Sequence, residues 1–414
     1  MENTITSKTA NYGINNKNSL VASTLIGSHS FQHMYARGFL VIIPQMYASL
    51  GLVPIQVGLL DAIRQLSGGI FSMGGGIVVD RLQHLRGPVL GSSLGLMALG
   101  YLLVGIAPSY ILILIALSLA SAAGSLWHPP SLGILSQRYP ERRGLMISLH
   151  RSAGTIGETI SPVFVGALLA VVTWQSVLLW AAIPTLTLAT LLLTFFWNVG
   201  GPKSQAVGQG NRGFRGQFSD LGSLFKRPGL SKLLIVTGIR GMADRGLLLF
   251  LPLYMAEELG MSSLTQGIHL ALLTMAAIIC GPMIGILSDR LGRKPAIVSV
   301  MAISTVFAGL MNFGNSGIPL SILIGLMGTV MFSINSLVQA AAMDIAEGKG
   351  LEGSLIGLLW GTNAVFGFFP PIILGILAGK FGFSVIFPYA TILYLSGTIF
   401  ASTLPTLSSK TEVR

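Results

Sequence analysis

The sequence predicts an all-α integral membrane protein. Twelve transmembrane helices form two six-helix bundles related as parallel repeats. Three observations predict this. Of the 414 residues, 52% are hydrophobic and only 9% are charged, against roughly a quarter charged in a soluble domain. Mean hydropathy is +0.74. Apolar runs near the roughly 20 residues needed to cross a hydrocarbon core recur twelve times. Finally, the second half repeats marks of the first at an offset of 209 residues.

Runs broken by charge, Gly/Pro or polar clusters place the spans near 20–49, 55–79, 88–106, 109–136, 143–171, 174–196, 230–257, 264–288, 295–313, 317–342, 352–379 and 382–404. This divides the chain into a tail (1–19), an N-terminal bundle (20–196), a linker (197–229), a C-terminal bundle (230–404) and a second tail (405–414). The first twenty residues are polar and lack an early apolar core, so no cleavable signal peptide is expected. The linker contains SQAVGQGNRGFRGQ and reads as flexible, with a short amphipathic helix expected near 218–225.

The net charge of +11 invites a nucleic-acid reading, but its placement argues for topology instead. Outside the spans, Lys and Arg gather at the termini, the linker and the even-to-odd connections, and only Lys380 falls in an odd-to-even loop. By the positive-inside rule both termini and the linker are expected in the cytoplasm. The expected surroundings are a lipid bilayer, the inner membrane of a bacterium, with no nucleic-acid partner and a monomeric chain. The single cysteine, Cys280, excludes an intramolecular disulfide.

The repeat is read from motifs. Residues 76–81 are GIVVDR and residues 285–290 are GILSDR, 209 residues later. The same offset pairs Gly144 with Gly353, Pro162 with Pro371 and Gly166 with Gly375. The run Gly285-Ile-Leu-Ser-Asp289-Arg290-Leu-Gly292-Arg293-Lys294 resembles the loop signature of the major facilitator superfamily. The first copy keeps Gly76, Asp80 and Arg81 but has Gln83 in place of the second glycine. The resemblance implies the facilitator fold, with a substrate site near the midplane between the halves. It also implies that the Asp and Arg of these loops latch the cytoplasmic gate. SLWHPPSLG (125–133) and RRGLMISLHRSAGTIG (142–157) resemble, more narrowly, the fosmidomycin-resistance type of efflux protein. In that group the position of His33 is usually Asp, and a small residue commonly stands where this chain has Arg151. Gly157, Pro162 and Gly166 match part of an antiporter signature. Together with Gly154, Pro371 and Gly375 they are expected to let helices pack closely.

Eight charged residues fall at membrane depth: Arg37, Asp61, Arg64, Arg151, Glu158, Arg240, Asp244 and Arg245. At about 3 kcal/mol each they would cost about 24 kcal/mol if left facing lipid, more than a typical net stability of roughly 5–15 kcal/mol. They must pair or line a wet cavity. All lie on spans one, two, five and seven. His29, His33 and Arg37 share one stripe of the first span. Arg151 and Glu158, seven apart, share a face of the fifth with Gly154 between them. Asp61–Arg64 and Arg240–Asp244 have the spacing of intrahelical pairs. His29 and His33 also have the spacing of two metal ligands, but no third carboxylate or thiol stands at a useful distance in sequence. A polar wall or proton relay is therefore expected, and no metal. His128, His150, Asn335 and Gln339 complete the expected cavity.

These residues imply a secondary transporter, with no cofactor and a proton gradient as the energy source. Its partners would be protons and a small solute, anionic or zwitterionic because Arg outnumber carboxylates. Glu158 is the expected coupling group, modulated by Arg151, with Asp244 and His33 next. Burial and a nearby Arg pull a carboxylate's proton affinity in opposite directions, and the balance can differ between conformations. Proton-coupled export is the expected activity. Uptake by symport and a non-transporting sensor or scaffold are the alternatives. No Ser-His-Asp set, nucleotide loop or soluble catalytic domain is visible, so an enzyme is not expected.

Overall fold

The computed structural model describes residues 16–81, 83–199, 229–346 and 352–405. Most of the expected linker, including the short helix near 218–225, and most of both tails lie outside them.

Fourteen α-helices run through the described residues and build the twelve spans. In the first half they are α1 (Asn16–Ser49), α2 (Pro54–Arg81), α3 (Arg86–Ile106), α4 (Tyr110–Ser125), α5 (His128–Arg138), α6 (Arg143–Leu168) and α7 (Trp174–Phe195). In the second half they are α8 (Leu230–Leu253), α9 (Ser263–Leu291), α10 (Arg293–Met311), α11 (Gly317–Met331), α12 (Ser333–Ala346), α13 (Glu352–Phe381) and α14 (Ile386–Ser402). Eight spans are long and apolar enough to cross a membrane by length and composition. The other four contain α1, α2, α6 and α8, which carry the charges at membrane depth. Their burden of charge and glycine is tolerable because they face other helices.

The fourth and tenth spans are not single helices. The fourth breaks between α4 and α5, where Pro129 and Pro130 follow His128. A proline ring cannot continue a regular helical ladder but suits a helix's first turn. The tenth breaks at Phe332 without a proline. There Arg240 Nη2 donates to the Met331 carbonyl oxygen at 3.1 Å, satisfying a group left without an intrahelical partner. Elsewhere the ends are capped conventionally. The hydroxyls of Ser109, Thr173 and Ser262 accept from backbone N–H groups three residues on. Gly292, between α9 and α10, has φ +93°, a backbone region that favours glycine.

The two bundles meet through α2 against α13 and α6 against α9. These contacts crowd the membrane face opposite the linker, here called the far end, where α1 stops and α2 begins. A Cβ on Gly58 would stand 2.1 Å from the Pro371 carbonyl oxygen, and one on Gly375 would stand 2.7 Å from Ile55 Cα. The other crossing repeats this: Gly267 would meet the Pro162 carbonyl oxygen at 2.1 Å, and Gly166 the Ser263 carbonyl oxygen at 2.4 Å. Gly58 and Gly267 are themselves 209 residues apart. The repeat therefore includes a glycine-to-carbonyl crossing on each side, of which the motifs had shown only the Pro and second Gly. Gln45 Nε2 donates across the seam to Ser263 Oγ at 3.3 Å, and the Tyr47 and Phe383 rings meet edge to face at 5.6 Å. These contacts close the far end.

Substituting Gly58 or Gly267 by Val should force the crossing helices apart. Spin labels at Leu50 and Phe381, one in each half near the far end, should then report longer distances than in the parent protein. An unchanged distance distribution would contradict the crossing as the element that sets closure.

Candidate functional site

At membrane depth, three clusters of charge lie between the helices among the described residues. The first joins α1 to α6. Gly154 and Gly157 let the helices approach: a Cβ on Gly154 would lie 2.7 Å from His29 Cε1, and one on Gly157 would lie 2.4 Å from the Ser30 carbonyl oxygen. Through this gap His33 Nδ1 reaches Glu158 Oε1 at 2.8 Å. Arg37 Nε stands 3.5 Å from the same oxygen, with its guanidinium 5.2 Å from the Phe332 ring of the opposite half. His29 Nδ1 lies 2.6 Å from the His150 carbonyl oxygen. The rings of His29 and His150 stack at 3.7 Å, and His128 closes the group edge-on to His29 at 5.3 Å.

Glu158 is therefore paired, but not with the expected partner. Arg151 shares its helix yet lies two turns nearer the linker end, about 10.5 Å along the axis. There its side chain is exposed. The α1 stripe reaches the carboxylate instead. The intrahelical spacing was sound, but it carried no information about which neighbouring helix would supply the shorter contact.

The second cluster crosses the seam between halves. Asp61 on α2 receives two hydrogen bonds from Arg245 on α8: Nε to Oδ2 at 2.6 Å and Nη2 to Oδ1 at 2.7 Å. Arg64 Nη2 lies 2.9 Å from Asp61 Oδ1 and its guanidinium sits 5.6 Å from the Phe39 ring. The expected Asp61–Arg64 pair thus forms, with a third member from the opposite half. Paired, two-pronged guanidinium–carboxylate contacts of this kind are strong and directional.

The third cluster stays within the second half. Arg240 pairs with Asp244 one turn on and donates to Asn335 Oδ1 on α12. Tyr394 Oη on α14 donates to Asp244 Oδ1 at 2.5 Å. Arg240 thus ties the ion pair to the break in the tenth span. Gln339 is half-buried on α12. Trp127 is fully buried in the core. Phe366 packs where a Cβ on Gly238 would stand. His269 lies away from these clusters, between the Thr265 carbonyl oxygen and Ser321 Oγ.

Of the gate motifs, the first copy's Gly76, Asp80 and Arg81 lie on α2, with side chains outside the described set. In the second copy Arg293 pairs with Asp289 and donates from Nε to Asp344 Oδ2 on α12 at 2.8 Å. Ser288 Oγ accepts from Arg293 Nη1 at 3.0 Å. Gly285 has open space around it and Arg290 is exposed. The bonds seen at the second copy stay inside the second half. Among the described residues none of these bonds crosses to the first half in this conformation, whose far end is shut.

Two pseudo-repeated helical bundles with buried charge at the seam define a membrane transporter, not an enzyme. The sequence matches the family profile of the Major Facilitator Superfamily over residues 25–239 and 233–413. The chain belongs to that superfamily. It is 22% identical over 380 residues to the Fosmidomycin resistance protein of Escherichia coli (strain K12), covering 90% of this chain and 89% of that one. Its fold resembles a bacterial homolog of the human lysosomal transporter Spinster, solved inward-facing and unoccupied. That match has a TM-score of 0.78 and 15% identity, covering 94% of this chain and 95% of the other. The nucleoside transporter NupG is similar at a TM-score of 0.76 and 14% identity, with 92% and 97% covered.

Removing one member of a buried pair costs about 3–5 kcal/mol because the other charge is stranded. Arg245→Ala and Asp61→Ala should each lower thermal stability, and the double variant should lose less than the sum. A sum that holds within about 0.5 kcal/mol would show the two residues to be independent.

Proposed function

We propose that the protein is a proton-coupled exporter of a small anionic or zwitterionic organic solute, working by alternating access in a bacterial inner membrane. The linker end and both termini face the cytoplasm, in keeping with the Lys and Arg distribution. The observation that carries the coupling is the Asp61–Arg245 pair, because its two members belong to different halves.

Halves that rock as bodies preserve distances within each half and change those between them. Glu158 has both partners, His33 and Arg37, in its own half, so rocking leaves that pairing in place. Asp61 keeps Arg64 but loses Arg245 when the far end opens. The coupling role therefore moves from Glu158, where the sequence had placed it, to Asp61.

The cycle follows from competition for one guanidinium. The Asp61 side chain is 3% exposed, while that of Arg245 is 24% exposed. An anion entering from the cytoplasm takes Arg245 from Asp61 and frees the halves to separate at the far end. Outside, the anion leaves, and Asp61, now wetted and short of one cation, takes up a proton. Closure brings Arg245 back, and the proton departs toward the cytoplasm. Protons move inward as solute moves outward. The relative named for fosmidomycin resistance supports export as the direction.

In proteoliposomes Asp61→Asn should abolish transport driven by a pH gradient while solute exchange at equal pH persists. Gradient-driven accumulation equal to that of the parent would remove Asp61 from the coupling. In the parent protein, solute moving toward the acidic side marks antiport. Movement with the protons would instead establish the uptake symporter.

A further inference from the structure

The histidines of the first half make a site that the transport cycle does not use. His29, His33 and His128 each offer a ring nitrogen, and these atoms lie within 4.8 Å of one another. The sequence shows only the first two, one turn apart, because the third stands 95 residues further on. The break between α4 and α5 delivers His128 to them.

The hydrogen bonds prepare two of these rings as ligands. A carbonyl oxygen can only accept, so the His29 Nδ1 bonded to the His150 carbonyl must carry the hydrogen. In the neutral ring, Nε2 then presents a lone pair. That atom is buried and makes no hydrogen bond among the described residues, and His29 as a whole is 5% exposed. A buried acceptor without a partner in native packing calls for an explanation. His33 is held likewise, its Nδ1 against Glu158 Oε1, so that its other ring nitrogen, Nε2, is the one available as a ligand. A backbone carbonyl behind one imidazole and a carboxylate behind another are the usual supports of metal-binding histidines. His150 is support and not ligand. Its ring stacks on His29, and its Nε2 faces Ser131 Oγ at 3.2 Å, a hydroxyl that donates in turn to the His128 carbonyl oxygen.

We propose that His29, His33 and His128 bind one divalent transition-metal ion of the imidazole-preferring class, such as Zn²⁺, Co²⁺, Ni²⁺ or Cu²⁺. Three neutral nitrogens exclude Mg²⁺ and Ca²⁺, which need oxygen ligands. Zn–N bonds of about 2.0–2.1 Å require the nitrogens to draw in to roughly 3.4 Å apart. Ring rotations at His33 and His128, both only partly buried, supply the movement. Glu158 balances part of the ion's charge through His33, while Arg37 stays against the same carboxylate with its guanidinium beside Phe332. A fourth position stays open to water or solute. All three ligands belong to the first half, so the site keeps its shape as the halves rock.

The test uses purified full-length protein carrying a histidine-free tag and Cys280→Ala, which removes the sole thiol. It needs neither solute nor gradient, so its failure leaves the coupling proposal standing, and the reverse holds too. Co²⁺ is titrated and read by its visible d–d absorption, with Zn²⁺ as competitor. One saturable equivalent per chain is expected. His29→Ala and His128→Ala should each weaken binding at least a hundredfold, and Glu158→Gln about ten- to a hundredfold. His269→Ala should change nothing. His128→Cys should keep the site and add a thiolate-to-cobalt charge-transfer band. The proposal is overturned if the parent binds no stoichiometric Co²⁺, if His29→Ala and His128→Ala bind as the parent does, or if the cysteine variant binds Co²⁺ without the new band.

Discussion

A charge inside a membrane must find its opposite, and much of this structure follows from that requirement. Asp61 shows it most fully. Its carboxylate is held by Arg64 from its own helix and by Arg245 from the other half. The second half cannot balance itself alone: Arg240 has Asp244, but Arg245 would stand unpaired without Asp61 of the first half. Assembling the two halves at the far end is thus electrostatic as well as steric. The same requirement governs Glu158, satisfied within the first half, and Asp244, satisfied within the second. Three carboxylates therefore report three different mechanical units: one half, the other half, and the seam.

Much of the fold was legible because its signals are local or periodic. Hydropathy finds spans, the offset of 209 finds the repeat, and both survive without knowledge of packing. The break in the fourth span was half-legible from Pro129 and Pro130. The break at Phe332 was not, since it is supported by Arg240 from a helix about 90 residues earlier. The sites behave the same way. Asp61–Arg64 and Arg240–Asp244 could be read at one helical turn. The partners that distinguish the clusters, Arg245 for Asp61 and Arg37 for Glu158, come from other helices, and spacing carries no record of them. Arg151 was misassigned for that reason. His128 was expected in one cavity with His29, but its edge-on contact with that ring could not be read from spacing.

The asymmetry between halves has a physical basis. What repeats is backbone geometry: glycine against carbonyl at both seams, and an interrupted fourth and tenth span. What does not repeat is the charge at membrane depth, although the Asp-Arg pair of the loop motif does. At the offset of 209, Glu158 corresponds to Gly367 and Arg151 to Trp360. Two bundles built on one plan share their joints and divide their chemistry, the imidazoles and Glu158 on one side and the Tyr394-tied pair on the other.

The glycine crossings carry a consequence of their own. At Gly58, Gly166 and Gly267 the approaching atoms are main-chain carbonyls, and at Gly375 a main-chain Cα. The fit at these points is made against backbone, whose shape is the same whatever side chains the partner helix bears. The residues that face the solute can change size, charge and number without disturbing these contacts. The steric half of closure is thereby written apart from the side chains that choose the solute, and only the Asp61–Arg245 pair belongs to both.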